Sequence, residues 1–124
     1  MSHYSPLKGK SGFKRIFNAA GYSLAGFKAA FQHEAAFRQI VLINIILIPI
    51  TFFLDVNAAE QAILIVVCLL SLIVELFNSA IEAVVDRISL EKHELSKNAK
   101  DMGSAAQFVS LLIIAAAWLI ILLR

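Results

Sequence analysis

Residues 72–86 read Leu-Ile-Val-Glu-Leu-Phe-Asn-Ser-Ala-Ile-Glu-Ala-Val-Val-Asp, an apolar run interrupted by Glu75, Asn78, Glu82 and Asp86. Spacings of three, four and four residues set those side chains on one face of a helix. A carboxylate at the middle of a spanning helix costs about 2.5–3.5 kcal/mol on insertion scales. A stripe of them is wasteful unless it binds ions or does chemistry, so the function is sought there.

The surroundings of this run set the class. The chain has 124 residues, 60% of them hydrophobic, with a mean hydropathy of +0.80. A soluble domain of this size needs far less apolar surface, so the composition points to a membrane protein. The apolar windows are Ile40–Leu54, Ala58–Val85 and Ala105–Leu123. A spanning helix needs about 17–25 residues, which the second and third windows supply outright. The first, with 15 residues, must borrow Ala35–Gln39 or sit in thinned lipid. Its polar breaks are Asn44 and Thr51, with Pro49 between them; those of the third window are Gln107 and Ser110.

Ahead of the first span, Phe13, Phe17, Ala20, Leu24, Phe27 and Phe31 recur at helical spacing, while Lys14, Arg15, Asn18, Ser23, Lys28 and Gln32 fill the other faces. This predicts an amphipathic helix that lies on the cytoplasmic leaflet or packs on the bundle, two compatible placements. The fold expected is all-α: three transmembrane helices at about 35–54, 58–85 and 104–123, plus the surface helix at about 13–33, in one domain over 1–124. Three spans enclose a polar site poorly by themselves, so oligomerisation is expected.

Charge orients the chain. Residues 1–38 carry Lys8, Lys10, Lys14, Arg15, Lys28 and Arg38 against Glu34 alone, and residues 86–101 carry Arg87, Lys92, Lys97 and Lys100. The link between the first two spans has Asp55 and Glu60 with no base. The positive-inside rule then puts the N-terminus and the second loop in the cytoplasm and the C-terminus outside. No signal peptide is expected, since the first apolar run starts late and lacks a cleavage pattern. No nucleic-acid partner is expected. Cys68, amid Val67 and Leu69, should pack as a small apolar residue.

Glu82 and Asp86 lie toward the cytoplasm, where they could meet Lys100 and Asp101, and Glu34 could approach the same level. Such hard oxygen donors suit Mg²⁺ or Ca²⁺; His3, His33 and His93 are scattered and form no competing site. Glu75 lies deeper, beside Leu72, Val74 and Leu76, where desolvation disfavours its charge and readies it as a general base. The same acids would also serve to glue helices together or to line an ion path, and spacing does not choose between these. No P-loop, protein-kinase or zincin motif is present.

The blocks Glu75–Arg87, His93-Glu-Leu-Ser and Ala99-Lys-Asp-Met-Gly-Ser-Ala-Ala106, with Arg15, Ala19-Ala-Gly-Tyr-Ser23 and Glu34-Ala-Ala-Phe-Arg-Gln39, resemble the prokaryotic diacylglycerol kinase family. The resemblance runs from about Phe13 to the end of the third span. It implies a homotrimeric kinase of the bacterial inner membrane, moving the γ-phosphate of MgATP onto the primary hydroxyl of a lipid. It implies Glu75 as general base with Asn78 beside it, and Glu34 and Glu82 as Mg²⁺ ligands. Nucleotide contacts fall on Arg15, Tyr22, Glu34, Glu82, Asp86, Glu91, Lys92, His93, Lys100 and Asp101. Lipid contacts fall on Arg15, Ala19, Ala20, Gly21, Tyr22, Ser23, Leu24, Arg38, Gln39, Glu75, Ser104 and Trp118. Leu24, His33, Ile40 and Asn57 depart from the family pattern, and Leu24 and Ile40 border the lipid side. Diacylglycerol is the acceptor implied. Undecaprenol, used by a related branch, and a non-enzymatic ion-conducting protein are the alternatives.

Overall fold

The computed structural model describes residues 12–124. His3, Lys8 and Lys10, used above, lie outside the described residues. Every described element is helical: α1 (Phe13–His33), α2 (Ala35–Ile50) running into a 3₁₀ turn (Thr51–Phe53), α3 (Ala58–Ile88) and α4 (Glu94–Leu123). Three of them are long and apolar enough to cross a membrane, counting α2 with its 3₁₀ turn as one rod of 19 residues. That rod is about 28 Å long at 1.5 Å per residue, close to the ~30 Å hydrocarbon core. With 31 residues, α3 reaches about 46 Å and outlasts the hydrocarbon core by about three turns. Counted from its start, about 20 residues cross the core. Glu75 therefore lies just inside the far boundary, and Glu82 and Asp86 lie beyond it. By the same count α4 crosses with its last twenty or so residues, and its first turns stand outside the core.

The helix ends are set locally. Asn57 Oδ1 accepts from the Glu60 N–H at 2.8 Å, and the Glu60 carboxylate accepts from the Asn57 N–H at 3.1 Å. This capping box satisfies two orphan donors at the start of α3. His93 Nδ1 accepts from the Leu95 N–H at 3.0 Å and starts α4. Between α1 and α2 the chain breaks at Glu34, which is extended (φ −121°, ψ 106°). Arg38 reaches back to donate to the carbonyls of Phe31 (2.7 Å) and Gln32 (3.4 Å), so a cation neutralises the end of α1.

The core lies between α3 and its neighbours. Leu64, Cys68 and Ser71 of α3 are fully buried, and Ile114 of α4 and Phe37 and Ile40 of α2 are buried beside them. Cys68 packs as the small residue expected. Helices α3 and α4 run antiparallel: Arg124 pairs with Glu60 at one end, and Lys100 Nζ meets Asp86 Oδ1 at 2.7 Å at the other. Lipid tails are as apolar as Leu, so burying apolar surface gives little drive to pair helices here. Close packing and interhelical hydrogen bonds must carry the pairing, at about 0.6 kcal/mol per bond on average. Helix α1 packs on α2 through its last turns, where Ala30 is buried and the rings of Phe27 and Phe37 lie 6.5 Å apart. Its earlier turns are open: Phe13 is 82% exposed and Phe17 75%.

Candidate active site

The acidic stripe of α3 becomes steadily more exposed toward its C-terminal end. Glu75 is only 2% exposed, Asn78 and Glu82 are half-buried, and Asp86 is exposed. Each step of three or four residues moves about 5–6 Å along the axis, which carries the stripe from hydrocarbon depth into water.

At the deep end Glu75 Oε2 accepts a hydrogen bond from Gln107 Nε2 of α4 at 2.9 Å. The same nitrogen donates to the Ser71 carbonyl at 3.2 Å, and Gln107 Oε1 accepts from Ser110 Oγ. Ser71 Oγ donates to the Cys68 carbonyl at 2.6 Å and accepts from Asn44 Nδ2 of α2 at 3.3 Å. A buried polar seam thus crosses three helices beside the deepest acid. One turn toward the polar end, Asn78 faces Gly103. A side chain at Gly103 would collide with the Asn78 amide oxygen, which is sealed there without a donor.

Next along the stripe, Glu82 lies within Coulombic range of Glu34, Glu75, Asp86 and Lys100. Glu34, half-buried at the α1–α2 break, is thus within Coulombic range of half-buried Glu82 although 48 positions separate the two in the chain (82 − 34). Among the described residues no group of three or more His, Cys, Asp and Glu could hold a metal. Two carboxylates nevertheless fit magnesium, which binds one or two of them and completes its shell with water and substrate phosphates.

At the shallow end a cavity of about 720 Å³ opens between the end of α3 and the start of α4. Its lining includes Asp86, Glu91, Lys92, His93, Lys100 and Asp101, all nucleotide candidates from the sequence. The volume falls within the usual range for small-ligand sites. Lys100, ahead of the spanning part of α4, is held above the ordinary lysine value chiefly by the hydrogen bond it donates to Asp86, so it stays cationic. Because Nδ1 of His93 caps α4, only its Nε2 is free to serve the cavity. Asp101 accepts from Lys97 Nζ at 2.6 Å, and of the two residues expected near Asp86 only Lys100 bonds to it.

Other sequence candidates are not gathered into this cavity within one chain. Arg15, Tyr22 and the run Ala19–Leu24 lie on the open part of α1, with Arg15 and Ala19 lining a separate groove near its first turn. Arg38 is engaged with the end of α1. Gln39 and Ser104 are exposed, and Trp118 is half-buried beside Cys68. In the sequence Asn44, Gln107 and Ser110 show only as polar interruptions of apolar runs, and Ser71 gives no signal of its own. Gln107 is the one amide in the third run, the only signal available.

Comparison with known proteins supplies the context for this geometry. A family model described as prokaryotic diacylglycerol kinase matches residues 21–122. A diacylglycerol kinase of Pseudomonas aeruginosa is 69% identical over 119 residues, covering 96% of this chain and 97% of the relative. One of Escherichia coli is 50% identical over 112 residues, covering 90% and 92%. One of Haemophilus influenzae is 47% identical over 108 residues, covering 87% and 92%.

Proposed function

The chain belongs to the prokaryotic diacylglycerol kinase family, and on that premise we propose that it moves the γ-phosphate of ATP onto the primary hydroxyl of diacylglycerol, giving phosphatidate. The chain is accordingly read as an enzyme rather than an ion path. The observation that carries the mechanism is the graded stripe: a buried acid at the edge of the hydrocarbon, joined along one helix face to a charged, water-facing cavity.

The lipid keeps its acyl chains in the bilayer, and its hydroxyl reaches the depth of Glu75. The nucleotide enters from the cavity at the end of α3, where Lys92 and Lys100 supply positive charge, and its triphosphate extends along the stripe past Glu82 toward the level of Glu75. Glu75 takes the hydroxyl proton as the lipid oxygen bonds to the γ-phosphorus, and the bond from that phosphorus to the ADP oxygen breaks. ADP leaves with the electron pair. Asn78, one turn along, orients the acceptor. Glu34 and Glu82 would hold magnesium, which when bound neutralises charge on the phosphate oxygens. Phosphoryl transfer asks mainly for positioning and charge neutralisation, so no P-loop is required.

The working unit is a homotrimer in a bacterial inner membrane, with the N-terminus and the α3–α4 loop in the cytoplasm and the C-terminus outside. What supports the trimer is that Arg15 and Tyr22 sit on an open helix, apart from the cavity of their own chain. Neighbouring subunits would complete each other's sites.

Glu75→Gln should cut transfer about a thousandfold while nucleotide binding and assembly survive. Glu82→Gln should weaken MgATP binding, with excess Mg²⁺ restoring part of the activity. Equal loss of nucleotide affinity in both variants would refute this division of labour. Transfer of labelled phosphate to each lipid tests the acceptor, and faster turnover of undecaprenol would overturn diacylglycerol.

A further inference from the structure

Gln107 stands out because a neutral amide buried in the apolar part of α4 has no place in the mechanism so far. It is 9% exposed, and every polar atom of its side chain is committed. Nε2 donates to Glu75 Oε2 at 2.9 Å and to the Ser71 carbonyl at 3.2 Å, and Oε1 accepts from Ser110 Oγ. Turned over, the amide would set its oxygen against two acceptors, so its partners decide its orientation. Ser110 is 2% exposed and Ser71 fully buried, and Asn44 ties Ser71 to α2. The amide is therefore clamped from both sides.

The consequence falls on the carboxylate. Oε2 of Glu75 is taken by the amide, whereas Oε1 has neither a donor nor complete burial among the described residues. We propose that Gln107 is a positioning residue for the phosphate transfer, gripping Oε2 so that Oε1 is presented to the lipid hydroxyl, with Ser110 holding the amide in turn. This rests on Glu75 being the base. A carboxylate held in one rotamer loses no time or free energy searching for the attack geometry, which is how a group that never touches substrate acts on turnover. Hydrogen bonds to charged groups are stronger than neutral ones, so the amide restrains Glu75 more firmly than packing alone would.

The test uses the full chain in lipid vesicles with saturable ATP and diacylglycerol. Gln107→Met keeps volume and removes the donor. Its kcat should fall about tenfold to thirtyfold, with KM for ATP and for diacylglycerol unchanged and thermal unfolding within a few degrees of wild type. Ser110→Ala, a smaller change, should lower kcat in the same direction but less. The double variant should match Gln107→Met alone, because Ser110 acts through the amide. A wild-type kcat in Gln107→Met, a loss carried by KM, or additive losses in the double variant would each overturn the proposal. Glu75→Gln run alongside separates the two readings. If it is inactive while Gln107→Met is normal, only the positioning role falls; if it is active, the base assignment falls.

Discussion

Helices α3 and α1 are both amphipathic, yet one closes its polar face inside the chain and the other leaves its apolar face open. On α3 the polar stripe turns inward to meet Gln107, Gly103 and Lys100 of α4, and Phe77, on another face, is exposed. On α1 the phenylalanines of the first turns face outward and only the last turns pack. The difference follows from the solvent. A spanning helix surrounded by lipid gains little by hiding apolar side chains and much by hiding polar ones. A helix at the water boundary has the opposite preference, so the stripe of α1 needs the bilayer or a neighbouring subunit to cover it.

Breaking the closed side should have the larger effect. Gly103→Ala puts a methyl where the Asn78 amide oxygen sits, and the short Asn side chain must swing away. Transfer should drop about a hundredfold, the scale of a misplacement near one ångström, while detergent-extracted protein keeps its helical content. Activity near wild type in that variant would separate Asn78 from the chemistry.

The open side should respond differently. Phe13→Ser with Phe17→Ser removes apolar surface that none of the described residues covers. Lipid-dependent activity in vesicles should fall about tenfold, yet the melting of α3 and α4 should not move. A matching loss of thermal stability would mean that α1 is integral to the bundle and that the two helices do not differ in this way.

A third and smallest effect sharpens the water-facing end. Lys100 lies above the ordinary lysine value because it donates to Asp86. A raised lysine contributes stability that is complete below its unfolded pKa, near 10.4, and is lost as pH climbs through the higher folded value. Both partners are exposed, so the pair is screened by solvent and contributes little. Thermal scans from pH 9 upward should show wild type losing about a degree or two more than Lys100→Met. Identical scans would show that the bridge contributes nothing to stability.

Much of this was legible in the chain because periodicity reports which faces differ. The apolar windows at Ala58–Val85 and Ala105–Leu123 marked two spans, and the spacing of Glu75, Asn78, Glu82 and Asp86 marked one polar face. The break between α1 and α2 was readable from the change of pattern at Glu34, and the cluster from Glu91 to Asp101 from its density of charge. What stayed hidden were pairings between helices. Whether Gln107 would meet Glu75 depends on a rotation of α4 that no local pattern encodes.

The sequence by itself determined that the chain spans a membrane three times and carries acids along one face of the second span, since hydropathy and helical spacing are local properties of the chain. Only the tertiary structure decided that Gln107 grips Glu75, that Gly103 seats Asn78, and that Glu34 comes level with Glu82. Those contacts join residues tens of positions apart, and they exist because antiparallel helices in lipid settle where their few buried polar groups can satisfy one another.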